Sequence, residues 1–468
     1  MATAAALTRA GAPSTNGRAT PAARAHSGLE LRKQVPRRAH AGWTPPADRP
    51  DPTHLVTATD HTRLGELLPI RYGRMVVSPF AFLRGTAGVM AADLASTPST
   101  GLEVQLCGDA HLSNFGLYAT PERSLVFDLN DFDETIRGPF EWDVKRLAAS
   151  IVVAGRTLGW APRVTERATL AALESYRRRM RWFAGMGELE VWYSRLTIND
   201  IRASIPSVDA TSMRRLDAME LKAQRRGHQL AQDRLTEVVD GQRRLTETPP
   251  LVIRIKDDRI RSLLDKAMTA YKKSLRPEIR LLLDRFTIQD SALKVVGVGS
   301  VGTRCLVVFL VGRDAGDPLF LQIKEAGSSS LEPFVKPPKE KSSGERVVHG
   351  QRIMQATSDV FLGWIPPVEG VDYYVRQLWD GKLSIALEQL RPVGIVAYAQ
   401  ACGWMLARAH ARSGDRMRIS GYLGTGDVFD RAILDFANAY ADQTERDHAQ
   451  LKAAIDEGRI QAQAPAAG

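Results

Sequence analysis

The sequence predicts an α+β protein with two parts: a small antiparallel β lobe and a larger, mainly helical lobe. Three observations carry this. Across residues 291–392, short apolar runs are separated by Gly-rich and Asp-Gly turns, which is the pattern of consecutive strands. Across residues 161–290, Leu170, Leu173, Tyr176, Met180 and Phe183 recur at three- and four-residue steps, giving one apolar helix face. Across residues 393–455 the helical period returns, with Phe429, Ile433, Phe436 and Tyr440 on one face. The helical lobe is therefore expected to draw on chain from both sides of the strands.

Composition narrows the class. The 468 residues are 44% hydrophobic and 25% charged, a globular balance with ample apolar surface for a core. No run approaches the roughly 20 apolar residues of a membrane span. Cys107, Cys305 and Cys402 lie far apart in apolar contexts, so neither a disulfide framework nor a zinc site is indicated, and a reducing, cytoplasmic compartment is expected. Residues 1–65 are rich in Pro, Ala and Arg without periodicity and read as a disordered tail; residues 456–468 read as a fraying end. Residues 1–50 hold eight Lys/Arg against Glu30 and Asp48, so the tail carries over half of the net charge of +10. Such a tail can touch nucleic acid weakly without making the folded body a nucleic-acid binder.

Residues 66–160 hold the first chemical constellation. Ser78 and Pro79 read as the N-cap and first residue of a helix running to Ala95. Leu102–Leu106 alternates as a strand, and Gly108-Asp109-Ala110-His111-Leu112-Ser113-Asn114 follows as a polar loop. Phosphoryl transfer needs a carboxylate to orient and deprotonate the attacking hydroxyl, and hard oxygen donors to hold magnesium on the phosphates. Asp109 suits the first task and Asn114 the second. His111 either orders the loop or acts on substrate. A hairpin through Thr120–Arg123 leads to a strand at Ser124–Asp128 and to Asp128, Asp131, Asp133 and Glu134, four carboxylates in seven residues. Packed together they would repel without a cation, which makes Asp128 and Asp131 the candidate metal ligands. A helix is expected over Trp142–Ala154.

The second constellation opens the β lobe. Gly297-Val298-Gly299-Ser300-Val301-Gly302 has the Gly-x-Gly-x-x-Gly spacing, but it runs into a strand, Cys305–Val311, and not a helix. A glycine loop inside a β-hairpin is the protein-kinase arrangement, in which bare backbone closes over phosphates. The next strand ends on Lys324, where kinases place the lysine that meets the α- and β-phosphates. Glu345, 21 residues on at the start of a helix, is the candidate to hold that lysine.

Gly108–Asn114 resembles the Gly-Asp-x-His-x-x-Asn catalytic loop of aminoglycoside and choline phosphotransferases, and Trp142–Ala148 resembles the helix that follows it there. The resemblance implies Asp109 as catalytic base, Asn114 with Asp128 or Asp131 as metal ligands, and Asp143 as a brace for the loop. Asp128 has the better distance from Asn114, and Asp131 the better distance to Asp143. Over residues 71–453 the chain also resembles a bacterial family of unknown function, domain of unknown function 2252, through Cys107–Gly116, Phe127–Glu134, Val295–Gly302, Leu321–Ala326, Leu406–Asp415 and Tyr440–Gln443. Ordinary kinases place the glycine loop before the catalytic loop. Here it follows, so a circularly permuted kinase-like fold is implied.

The expected function is ATP- and magnesium-dependent phosphotransfer to a hydroxyl-bearing small-molecule or protein acceptor. The alternatives are a kinase-like nucleotide-binding regulator without transfer, a nucleotidyl transferase using much the same residues, and a nucleic-acid binder using the basic tail. His410, Arg412 and Asp415 either line the cleft or serve a helix end.

Overall fold

The structure, a computed structural model, describes residues 19–204, 228–295, 297–299, 301–378 and 383–463. Its largest sheet has six antiparallel strands: β5 (Val252–Arg254), β6 (Thr287–Lys294), β7 (Cys305–Val311), β8 (Pro318–Ala326), β9 (Gly363–Val368) and β10 (Val371–Gln377). Their order is β9-β10-β8-β7-β6-β5, so β10 inserts beside β8. Strand alternation explains how both faces are covered. Val308, Leu310, Leu319 and Leu321 point to helices Asp258–Lys272 and Pro277–Leu283, where they meet Leu264, Met268 and Leu283. Val307, Phe309 and Phe320 point the other way, onto Ala231 and Leu245. The β region thus begins at Val252 and draws its cover from the segment expected as purely helical.

A larger core surrounds α4 (Phe140–Thr157), which carries buried residues all round, as a central helix must. Against it lie α5 (Pro162–Ala184), α7 (Pro392–Ser413) and α9 (Val428–Asp456). Leu173, Tyr176, Met180 and Phe183 form the predicted buried face of α5. Arg177 is also buried on this helix and paired with Asp430 at 2.8 Å. Two short antiparallel pairs serve the loops of interest: β1 (Glu103–Leu106) with β4 (Ile136–Pro139), and β2 (Phe115–Ala119) with β3 (Leu125–Leu129). The helix expected from Pro79 to Ala95 is two helices, α3 (Pro79–Gly85) and Ala87–Ala95; Ser78 caps the first, its Oγ accepting from Ala81 N at 3.1 Å. Among the described residues, no helix is long and apolar enough to cross a membrane.

The N-terminal segment corrects the expectation of a disordered tail. Residues 21–34 form α1 (Pro21–Gln34), which lies on α8 (Arg416–Leu423). The approach is backbone to backbone: a Cβ on Gly28 would stand 2.0 Å from Arg418 O, and one on Gly421 2.0 Å from Ala25 O. Arg32, Arg37 and Arg49, among the arginines that gave the segment its charge, have specific partners. Arg32 donates to Tyr422 O at 2.8 Å and Arg37 to Leu423 O at 2.7 Å, satisfying carbonyls at the end of α8. Arg49 is gripped by Asp93 (2.7 and 2.8 Å) and Asp447 (2.9 and 2.6 Å). Composition reads such residues as solvated because their partners lie some 390 residues away. The C-terminal end is likewise tied down as far as Gln463, whose N–H donates to Pro69 O at 2.8 Å.

Removing one member of a buried ion-pair cluster strands the others. Arg49→Ala is therefore expected to cost about 3–5 kcal/mol in urea unfolding; a loss under about 1 kcal/mol, the scale of an exposed pair, would show that the segment is only loosely attached.

Candidate functional site

One face of α4 positions the loop after β1. Asp143, Arg146 and Ser150 are spaced three and four residues apart, so they line up along the helix. The Asp143 carboxylate accepts from Cys107 N at 2.7 Å and Gly108 N at 3.0 Å. Arg146 donates from Nε and Nη2 to Asp109 Oδ1 at 2.8 and 2.5 Å. Ser150 Oγ accepts from Leu112 N at 2.8 Å. Gly108 is required at its position: its φ is +81°, and a Cβ would stand 2.3 Å from Glu134 O. Behind the loop, His410 Nε2 lies 3.2 Å from Asp143, and its Nδ1 lies 2.9 Å from the Tyr176 hydroxyl. The bracing geometry implied for Asp143 is thus present. Of the three C-terminal candidates, His410 backs the brace Asp143, Asp415 caps α8, and Arg412 stacks 3.8 Å from the centre of the Trp192 ring.

Asn114 ties this loop to the acidic one. Its Oδ1 accepts from Asp131 N at 2.8 Å, and its Nδ2 donates to Asp109 O and Asp131 O, each at 3.0 Å. Asp109 Oδ2 lies 3.6 Å from His111 Nε2. This is no ion pair at neutral pH. Burial pushes the His111 imidazole down to about 4, against the pull of Asp109 and with help from Arg84 and Arg146, so the ring is neutral.

The two candidate metal carboxylates separate cleanly. Asp128 is fully buried, bound by Arg408 Nη2 at 2.9 and 3.0 Å, Ala356 N at 2.8 Å and Leu129 N at 2.9 Å. Burial raises its pKa and Arg408 opposes the rise. With its lone pairs so engaged it is a structural anchor, and the expectation of Asp128 as a metal ligand is corrected. The side chain of Asp131 remains 43% exposed.

Lys324 enters from β8, where it pairs with Cys305 on β7 and Tyr374 on β10. Its Nζ lies 2.7 Å from Asp133 Oδ2 and 3.7 Å from Asp131 Oδ1, and Tyr374 donates to Asp133 Oδ1 at 2.7 Å. Burial favours the neutral amine, but Asp131 and Asp133 outweigh it and hold the ammonium well above its usual range. Glu345 does not hold this lysine. It sits in the first turn of α6 (Ser343–Met354), its carboxylate accepting from Lys341 N at 3.0 Å. The next residue, Arg346, faces the acidic loop instead, donating to Asp133 O at 2.9 Å and Gly327 O at 2.8 Å.

The glycine loop joins β6 to β7 as predicted, with Gly297 and Gly302 in left-handed conformations at φ +74° and +92°. Ser300 lies outside the described residues. Arg63 donates to Gly299 O at 2.9 Å and Val301 O at 2.6 Å, and Arg74, on α2 (Leu68–Met75), to Gly297 O at 2.5 Å. Gly299 itself packs on the end of α3: a Cβ there would stand 3.4 Å from Arg84 O. Arg84 in turn feels the charge of Asp109. Both constellations therefore converge, at Lys324 with Asp131 and Asp133, and at Gly299 with Arg84 and Asp109.

The family model described as an uncharacterized protein conserved in bacteria (DUF2252) matches residues 63–454. The chain belongs to this family. No curated protein and no solved structure matches it. The matched span of this DUF2252 chain runs from Arg63, which holds the glycine loop, through both constellations.

Sequence reasoning missed Arg63, Arg84, Arg146, Asp133 and Arg346. Arg146 had a usable signal, lying one helical turn after Asp143. Asp133 stood in the acidic run, but nothing local distinguished it from its neighbours. Among the described residues, no group of three or more His, Cys, Asp or Glu encloses a metal. Magnesium needs fewer protein donors, since phosphates and waters complete its shell. Asp131 and the second lone pair of Asn114 Oδ1 are hard-oxygen donors of the kind it takes.

His111 gives a pH test. Its folded pKa is about 4 against an ordinary 6.5, so between those values the unfolded chain takes up a proton that the folded one refuses. Its contribution to stability is present above pH 6.5 and is lost as pH falls toward 4. Replacing His111 by Gln should flatten stability against pH in that window by up to about 1.4 kcal/mol per pH unit; an unchanged slope would place the imidazole in water.

Proposed function

We propose that this DUF2252 protein is an ATP- and magnesium-dependent phosphotransferase with a kinase-like two-lobed architecture and permuted motif order. One observation carries the reading: Lys324 is paired with Asp133 at 2.7 Å, across 191 residues of chain. This is the meeting of glycine-loop sheet and acidic loop that phosphoryl transfer requires. The order glycine hairpin, lysine strand, helix α6 and two further strands supports it. One departure is clear, since Asp133 takes the place of a helix glutamate as the partner of the lysine.

In this reading Lys324 and the glycine loop hold the phosphates of ATP. Asp109 Oδ1 is fixed by Arg146, leaving Oδ2 to orient the acceptor hydroxyl and receive its proton. The acceptor oxygen bonds to the γ-phosphorus while the bond to the β–γ bridging oxygen breaks, and ADP leaves with that electron pair. Magnesium, when bound at Asp131 and Asn114, would supply positive charge that offsets the phosphates. Arg146 also favours the second reading, nucleotide binding without transfer, because it already occupies one oxygen of Asp109.

Calorimetry should find magnesium-dependent ATP binding that weakens in Lys324→Ala. Asp109→Asn should keep that binding and lower ATP turnover about 10²–10⁴-fold, the usual scale of a general base. Unaltered turnover would move the chemistry away from Asp109. Binding with no turnover in the wild type against any acceptor would leave the regulatory reading.

A further inference from the structure

Arg84, the penultimate residue of α3, has a different environment from the arginines around it. Arg63, Arg71, Arg146, Arg346 and Arg408 all donate to carbonyls or carboxylates. Arg84 has no hydrogen bond or ion pair among the described residues; its Nε is buried without a partner, and its guanidinium lies 6.0 Å from the Phe80 ring. This half-buried cation, with no partner in the protein for its head group, is open to an anion.

Two backbone contacts fix the place of Arg84. The backbone oxygen of Arg84 faces Gly299 of the glycine loop. The preceding carbonyl, Leu83 O, accepts from Arg146 Nη2 at 2.7 Å, the same guanidinium that holds Asp109. Asp109 and Glu388 act on the charge of Arg84, and Arg84 on that of His111, in keeping with that place. His111 is 8% exposed, and its Nδ1 is a second buried atom here without a partner. Arg84 thus stands between the glycine loop and the Arg146–Asp109 pair.

We propose that Arg84 is a catalytic residue whose guanidinium binds the terminal phosphate of ATP and stabilises the charge on the phosphoryl group as it moves to the acceptor. This rests on the phosphotransferase reading and adds the group that serves the transferring phosphate. As the acceptor oxygen bonds to phosphorus, its proton passes to Asp109, the bridging bond breaks toward ADP, and Arg84 faces the equatorial oxygens throughout. A fixed guanidinium suits this task because its N–H fork matches phosphate oxygens. Arginines so placed contribute about 10³–10⁵ to kcat in other phosphotransfer sites.

The test compares two nucleotides, ADP and the non-hydrolysable β,γ-imido analogue of ATP, each with magnesium, by calorimetry on wild type, Arg84→Ala and Arg84→Lys. Arg84→Ala should weaken the analogue about 10- to 100-fold, the scale of a charge-assisted hydrogen bond, and leave ADP within about twofold of wild type. Arg84→Lys, which keeps the charge and the buried stem, should fall between and guards against a folding defect in the alanine variant. Equal weakening of both nucleotides would make Arg84 a support for the glycine loop and overturn the proposal, as would no change in either. A wild type that binds neither nucleotide would instead defeat the phosphotransferase reading itself.

Discussion

A buried ammonium must have a counter-charge at contact distance, and in this protein that requirement joins two distant parts of the chain. Lys324 is 2% exposed, on a strand of the large sheet, and its partners Asp131 and Asp133 come from the loop after β3. Leaving Lys324 unpaired in that environment would cost several kcal/mol, so the sheet cannot drift from the acidic loop. Tyr374 and Arg346 reinforce the junction from β10 and α6, one through the Asp133 carboxylate and one through its backbone oxygen. Every chemical group discussed here takes its place relative to that junction.

The helical core meets the same demand from the other side. Asp143, Arg146 and Ser150 work as a rigid ruler along α4, each gripping a different point of the loop that carries Asp109. Asn114 then passes that order to Asp131, bonding Asp109 O once and the Asp131 backbone twice through its side chain. The result is a set of polar groups held by secondary structure on both sides, as a site that must orient reacting atoms within fractions of an ångström requires. The glycine loop is pinned by Arg63 and Arg74 through its carbonyl oxygens, which keep its conformation independently of any ligand.

Much of this was legible in the sequence, and the boundary between what was and was not is physical. The α+β class, the glycine hairpin, the lysine strand and the polar loop of Asp109 follow from local periodicity and turn chemistry, which act over a few residues. The choice between Asp128 and Asp131 did not, because it turns on Arg408, 280 residues away, which neutralises the first and leaves the second at the surface. The partner of Lys324 was misread for the same reason: Glu345 satisfied the expected order along the chain, while Asp133 satisfied the geometry. The N-terminal segment was the largest miss, since its arginines look solvated until Asp93, Asp415 and Asp447 are brought to them by the fold.

The central claim is that the glycine loop, Lys324, Asp131 and Asp109 form one nucleotide site. A crystal structure with magnesium and the β,γ-imido analogue of ATP tests it most directly. The account predicts the phosphates beneath Gly299, magnesium bound to Asp131, and the γ-phosphate facing Asp109. Nucleotide bound elsewhere, or a metal that avoids Asp131, would contradict it.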